Sequence, residues 1–376
     1  MSLAEIRKEF PILQSKIYLN TCSLGAFSRR HRTYMNRFMD LWDELGASAW
    51  YEHWLGAADS VRSMAAGVMG ADEEEIALGH SVSTVMSTLA SCYTFRGGQN
   101  VVVTDLDFPT ANYQWLAKKG LPLHTKIVRS PDGVHVPAGD IAGAIDEQTV
   151  IVSTSHVFFG SGYIQDIGAI GRYARGRGAH TMIDAYQSVG QVPVDVHALE
   201  IDMLITGGLK WLLGGPGITY LYVRKGLIES MKPANAGWFG VRDQFGFDQM
   251  KFEFLDSARR FETGTPAAAA AFAAKAGLEL ILETGLETIQ ETTKELTEEL
   301  VHELKKAGFQ LRAAARKEER SAIVMIAHPD PAPVVKELAR RGIIVDHRKD
   351  NIRVSPYFYN TSEDLSTFVS ALKELV

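Results

Sequence analysis

Lys210 is the one charged residue in the run ITGGLKWLLGGPG, residues 205–217. Burying an unpaired ammonium is costly unless the group gives up its proton. A desolvated lysine nevertheless has a use, because its amine can act as a base or condense with a carbonyl. Asp184 precedes it by 26 residues, within TMIDAYQSVG, and one further strand, IDMLIT, fits between the two. In a parallel sheet both residues then stand at the carboxyl ends of nearby strands, where open α/β sheets bind ligands. Taken singly, the lysine could snorkel to water and the aspartate could cap a turn. Taken as a pair, they suit pyridoxal phosphate, whose aldehyde needs an amine and whose ring nitrogen needs an acid to stay protonated.

Other side chains around these two fit the same chemistry. Gln187 is placed to donate to the hydroxyl of such a ring. GHSVSTVMSTLASCY follows an apolar run and turns helical, with Ser81, Ser83 and Thr84 at the helix start. Hydroxyls at a helix N-terminus make an anion site, or else an ordinary cap. Phe108, in DLDFPTANYQW, either stacks on a ring face or fills a core. His156, in STSHVFFGSG, faces a cofactor or is a core histidine. Phe158, Phe159, Trp50, Tyr51 and Trp238 offer the walls of an apolar pocket, although such rings are more often core.

These residues need a scaffold. EIALG, NVVVTD, LHTKIV, TVIVSTS, HTMIDA, IDMLIT and ITYLYV read as seven strands, mostly near-continuously apolar and therefore covered on both faces. Helix-length segments such as DIGAIGRYARGRG separate several of them, which predicts an α/β domain around a mainly parallel sheet between helices. Beyond residue 260, GTPAAAAAFAAKAGLELILETG reads as a helix with Thr265 as N-cap, Pro266 as first residue and Gly285 as stop. LETIQETTKELTEELVHELKKAG reads as a second helix, with acids early and lysines late. The strands SAIVMIAH, IIVD and IRVS and the helices APVVKELARRG and SEDLSTFVSALKEL complete a small C-terminal α+β domain. We therefore expect a large cofactor domain over 16–260 and a small domain made of 1–15 and 261–376.

Composition narrows the class. The 376 residues are 46% hydrophobic and 22% charged with net charge −6, which is ordinary globular composition without the basic stripe that nucleic acid requires. Cys22 and Cys92 have no metal-type spacing and support no disulfide framework. The start, MSLAEIRKEF, lacks an apolar leader, and the alanine-rich stretch is too short to span a bilayer. The expectation is a soluble, cytoplasmic protein that binds neither metal, membrane nor nucleic acid.

IDAYQSVGQVPVDVHALEIDMLITGGLKWLLGGPG resembles the signature of class V pyridoxal-phosphate enzymes, among them kynureninases, cysteine desulfurases, isopenicillin-N-epimerase-like proteins and small aminotransferases. YLNTCSLGA, DFPT, GWFG, RFETGTP and IRVSPYFYNTSEDL resemble further family segments in the same order, so the likeness runs over nearly the whole chain. The resemblance implies fold-type I architecture and a set of roles. Lys210 would form the Schiff base, Asp184 would pair with the ring nitrogen, and Gln187 would meet the ring oxygen. Phe108 would stack where many relatives carry histidine. Ser83 and Thr84 would hold the phosphate, joined by Trp238 and by Thr265 acting across a homodimer with shared sites. Arg353 would grip the substrate α-carboxylate, with His156 beside it; an arginine fork suits that planar anion.

Departures narrow the reaction. GIIVDHRKDNIR has no nucleophilic cysteine before Arg353, which disfavours desulfuration. Ala111, Gln187 and Leu209 stand where kynureninases carry an acid, a histidine and a tyrosine. The expected activity is amino-acid transamination. The alternatives are kynureninase-like hydrolysis or another lyase reaction, and epimerisation. A binding protein that has lost its chemistry is disfavoured by the presence of Lys210, Asp184 and Arg353 together. A nicotinamide or nucleotide enzyme is disfavoured because GGPG leads into a strand rather than opening a helix.

Overall fold

The computed structural model describes residues 2–376. The seven apolar runs form one sheet: β2 (Ile76–Gly79), β3 (Gln99–Thr104), β4 (Leu123–Val128), β5 (Thr149–Ser155), β6 (His180–Asp184), β7 (Met203–Gly207) and β8 (Thr219–Val223). β1 (Ile17–Tyr18) lies outside it. The sheet order is β2-β8-β7-β6-β5-β3-β4, with β8 antiparallel to both neighbours and every other pair parallel. β6, β7 and β8 are buried along their whole length apart from His180, whereas the edge strand β4 is not. This is the doubly covered sheet that uninterrupted apolar runs predict.

Successive side chains of a strand serve opposite layers. Ile183 and Leu204 join α3 (Leu55–Met69) and α9 (Ala268–Thr284) in one layer, beside α2 (Arg29–Leu45). α6 (Ala138–Ala144) and α7 (Ile167–Arg175) share a core with Val102 and Val152. Met182, Met203 and Ile205 face α4 (Val82–Ala90) and α5 (Pro109–Leu116) in the opposite layer. α8 (Lys225–Ile228) follows β8, and α1 (Leu3–Arg7) starts the chain with a Ser2/Glu5 capping box.

The C-terminal part has its own core. α10 (Leu286–Lys306), α11 (Pro331–Arg340) and α12 (Ser362–Leu375) cover a three-stranded antiparallel sheet ordered β11-β12-β9, made of β9 (Val324–Ala327), β11 (Asp346–Arg348) and β12 (Asn351–Val354). β10 (Ile343–Ile344) pairs instead with β1, in parallel. The N-terminal residues Ile6, Phe10 and Leu13 pack in one cluster with Tyr357, Phe358 and Tyr359. Arg7 forks onto both oxygens of Asp364 at 2.8 and 2.9 Å.

One expected boundary is displaced. Thr265 is not the N-cap of α9: the chain bends at Gly264 and Thr265, Ala267 takes the N-cap place, and the helix begins at Ala268. Ala267, at φ −72° and ψ 81°, lies outside the helical range, so the helix cannot extend back to Pro266, and Glu262, upstream, is tied to Arg62 at 2.8 Å. Gly285 stops the helix as expected, at φ 90°. Among the described residues no helix is long and apolar enough to cross a membrane.

Candidate active site

β6 and β7 are adjacent and parallel, with Asp184 level with Ile205. Asp184 and the turn after β7 therefore emerge side by side. That turn is tight: Gly214 N–H donates to Gly208 O at 2.6 Å, and Gly215 and Gly217 have φ of 73° and 94°. The N-terminal loop lies directly on it. Gly25 N–H donates to Leu209 O at 2.9 Å, and a Cβ at Gly25 would meet Lys210 O at 2.2 Å. Trp211, Leu212 and Leu213 plunge into the core, leaving Lys210 to point the other way, with Nζ 4.3 Å from the centroid of the Tyr186 ring.

Burial pushes the Lys210 amine down to about 8 from 10.5. Cys22 and Asp184 pull it back up, while Arg353 and Arg348 push it further down. The buried Asp184 carboxyl is raised by burial, against the Tyr186 N–H that Oδ1 accepts at 2.9 Å and against the Lys210 charge. Its Oδ2 has no hydrogen-bond partner among the described residues. Gln187 donates through Nε2 to Cys22 O at 3.0 Å and accepts from Trp211 Nε1 at 2.9 Å, which leaves one amide hydrogen uncommitted. His156 follows β5; its backbone N–H donates to Asp184 O at 2.9 Å. Burial lowers its imidazole to about 4, and the buried Nδ1 has no partner among the described residues.

Phe108 opens α5 and is 45% exposed, an unusual position for so large an apolar ring; its one aromatic neighbour is Phe159 at 5.1 Å, edge-on. Asp107 anchors it. This buried carboxylate accepts from Thr104 N at 2.8 Å, Thr104 Oγ1 at 2.9 Å, Thr154 Oγ1 at 3.0 Å and Ser155 N at 2.6 Å, so it ties the ends of β3 and β5 together. Nearby, Ser81 caps α4 by accepting from Thr84 N, and Ser83 Oγ lies 3.1 Å from Thr110 Oγ1 of α5. Hydroxyls from two helix starts thus converge, and Ser83 and Thr84 remain exposed.

Arg353 projects from β12 and is 2% exposed. Its Nη2 donates to Ser23 Oγ at 2.6 Å and Asp346 Oδ2 at 2.9 Å, its Nη1 donates to Phe159 O at 3.2 Å, and its buried Nε is unpaired. Trp238 and Thr265 lie apart from the lysine in the single chain. They line a cavity of about 150 Å³ with Trp50, Tyr51, Leu55 and others, and neither Lys210 nor Asp184 borders it. A larger cavity of about 570 Å³ runs between His80 and Thr84 on one wall and Thr263 and Gly264 on another.

Cys22, Tyr186, Asp107 and Thr110 carried no site role in the sequence reading. Cys22 acts on the charge of the lysine from a loop far from it in sequence, while Cys92 sits just past α4 with its thiol raised to about 12 by burial. Tyr186 had one available signal, its place between Asp184 and Gln187. The set fits pyridoxal phosphate: a desolvated amine, a carboxylate oxygen and an imidazole nitrogen both lacking partners, an exposed ring face and clustered hydroxyls.

The family model Aminotransferase class-V matches residues 49–368. The chain is 34% identical over 363 residues to an uncharacterized aminotransferase, YcbU, of Bacillus subtilis (strain 168), covering 96% of this chain and 95% of that one. It is 29% identical over 392 residues to a kynureninase of Bacillus thuringiensis subsp. konkukian (strain 97-27), covering 100% and 91%. Among solved structures, the apo cysteine desulfurase of Thermococcus onnurineus NA1 superposes with a TM-score of 0.89 at 22% identity, covering 99% and 97%. A variant of C-DES with glycine covalently linked to its PLP cofactor superposes with a TM-score of 0.91 at 19% identity, covering 98% and 99%. At these identities the solved structures speak for the fold alone.

Proposed function

The chain belongs to the class-V aminotransferase family and is a pyridoxal-phosphate-dependent enzyme; from that premise we propose that it is an aminotransferase acting on an α-amino acid. The observation that carries this reading is the convergence of desolvated Lys210, part-free Asp184 and buried Arg353 at one end of the two sheets. When bound, pyridoxal phosphate supplies an aldehyde for amine exchange and a protonated ring that accepts electrons from the substrate α-carbon. Asp184, whose Oδ2 is free, would hold the proton of the ring nitrogen. Phe108 offers its exposed face, and Ser83, Thr84 and Thr110 offer hydroxyls to the phosphate. Gln187, in the turn after β6, would meet the ring oxygen, and His156, just past β5, would stand on the substrate side. Lys210, at about 8 rather than 10.5, holds a useful neutral fraction near physiological pH and can take and hold the proton of the substrate α-carbon. Arg353 fixes the α-carboxylate, sharing its fork with Asp346 and Ser23.

Trp238 and Thr265 then serve a second subunit, in a homodimer with shared sites. Support comes from a contiguous aromatic surface, in which Tyr51 and Trp238 both lie about 6 Å from Phe245 and Trp238 lies 6.2 Å from Phe247. Both Tyr51 and Phe247 are exposed in the single chain. Desulfuration is not part of the reading, since the segment before Arg353, β11 and its turn, carries Asp346 and Arg348 rather than a thiol and Cys22 is fully buried. Kynureninase-like cleavage stays as a second reading because of the 29% relatives that span the whole chain. Against it, Ala111 is buried within α5 and presents no acid.

The test is a screen of amino acids against the loaded enzyme in deuterium oxide. Loss of the visible cofactor band with release of a 2-oxo acid supports transamination. Alanine released from kynurenine supports the second reading. Deuterium entering the α-position without any oxo acid refutes transamination in favour of epimerisation.

A further inference from the structure

Tyr186 has no part in the chemistry just described, yet it is held more tightly than a bystander needs to be. Its backbone N–H is tied to Asp184 Oδ1 at 2.9 Å. Its ring packs against the cluster to which α4 contributes Val82, Val85 and Met86. Its far edge lies over Gly207, the last residue of β7, where a Cβ would come within 2.5 Å of Cε2, 2.7 Å of Cζ and 2.9 Å of Oη. The phenol hydroxyl has no hydrogen-bond partner among the described residues. What the arrangement presents is a ring face, with Lys210 Nζ 4.3 Å above the centroid.

The surroundings give that face a purpose. Cys22, Asp184, Arg353 and Arg348 are the titratable and charged groups that act on Lys210. The two arginines and burial all work against an ammonium, and Asp184 is the carboxylate that favours it. In our reading Asp184 is committed to the cofactor ring. A second carboxylate beside the lysine would compete for that role. An aromatic face favours a cation without adding a negative charge.

We propose that Tyr186 is a positioning residue, which holds Lys210 Nζ over its ring face and favours the cationic form of that nitrogen, and that Gly207 carries no side chain so that the ring can lie there. The consequence for catalysis rests on the function proposed above, whereas the contact itself does not.

The test uses full-length, cofactor-free protein. Acetylation of Lys210 is followed by peptide mass spectrometry across pH for the wild type, Tyr186→Phe, Tyr186→Leu and Gly207→Ala. Tyr186→Phe keeps the face and is expected to titrate within a few tenths of a unit of the wild type. Tyr186→Leu and Gly207→Ala are expected to lower the midpoint by about one pKa unit, the size of a desolvated cation–π contact. The double variant is expected to fall no further than either single one, since both remove the same contact. A Tyr186→Leu midpoint equal to wild type overturns the proposal. So does a Tyr186→Phe midpoint as low as that of Tyr186→Leu, because the hydroxyl rather than the face would then be responsible. A Gly207→Ala midpoint equal to wild type removes the seat. In loaded protein the pH at which the visible band changes is expected to move in the same direction. A protein that never acquires that band, while the labelling shift persists, refutes the cofactor reading and leaves the contact standing.

Discussion

Replacing Lys210 by methionine is expected to stabilise the cofactor-free protein. In the folded chain the amine titrates at about 8, whereas an unfolded lysine does so at 10.5. Between these values the unfolded chain binds more protons than the folded one, so stability rises with pH across the window. Below about 8 both states are charged and the full penalty is present. The displacement corresponds to about 3 kcal/mol at roughly 1.4 kcal/mol per unit. Lys210 keeps some contact with solvent, which trims the figure to about 2 kcal/mol. Methionine retains the length of the chain and removes the ammonium. Urea unfolding of the two proteins is therefore expected to favour Lys210→Met by about 2 kcal/mol at neutral pH, narrowing to nothing above pH 10.5. A wild type that is the more stable at neutral pH, or a difference that does not change with pH, would refute the reasoning. The trade is the familiar one in which a functional group is kept at the expense of stability.

Four other outcomes can be checked. Asp107→Ala strips four buried donors of their acceptor and is expected to cost about 3–5 kcal/mol, with hydrogen exchange faster at Thr104 and Ser155 before any other strand residue. Arg62→Met leaves Glu262 buried with Leu78 N as its remaining close donor; a loss of about 3–5 kcal/mol in urea unfolding is expected, and a neutral result would show that Glu262 finds water. Gly25→Ala forces the N-terminal loop off the lysine turn, with an expected loss of about 1–3 kcal/mol and a changed near-ultraviolet spectrum from Trp211. Burial holds His31 at about 4, below its ordinary 6.5, so the stability it contributes is complete above 6.5 and is lost as pH falls toward 4; His31→Gln should flatten the acid limb of the unfolding curve in that window.

The strands show why part of the fold could be read in advance. TVIVSTS and HTMIDA are apolar at nearly every position because helices cover both faces of the sheet, and each became a strand within a residue or so of its expected bounds. Asp346–Arg348 escaped that logic, being polar throughout and made a strand by its pairing with β12. The start of α9 misled for a related reason: Thr-Pro is a local signal for a helix start, but the segment bends where it borders the larger cavity and turns helical only at Ala268. In the site, Lys210 and Asp184 could be brought together from spacing alone, because a single intervening strand leaves few topologies open. The neighbours of Arg353 could not. Ser23 lies 330 residues away in sequence, and Phe159 reaches it through a backbone carbonyl that no side-chain pattern marks.

The amino-acid sequence by itself determined the sheet, the lysine and aspartate at its carboxyl edge, and the family to which they point, since these rest on local periodicity and on short spacings along the chain. Only the tertiary structure decided how strongly the lysine is desolvated, that the Tyr186 ring stands against it, and that Arg353 already shares its fork with Asp346 and Ser23. Those properties depend on distance and on the exclusion of water, and both are set by segments that meet only when the chain has closed around its core.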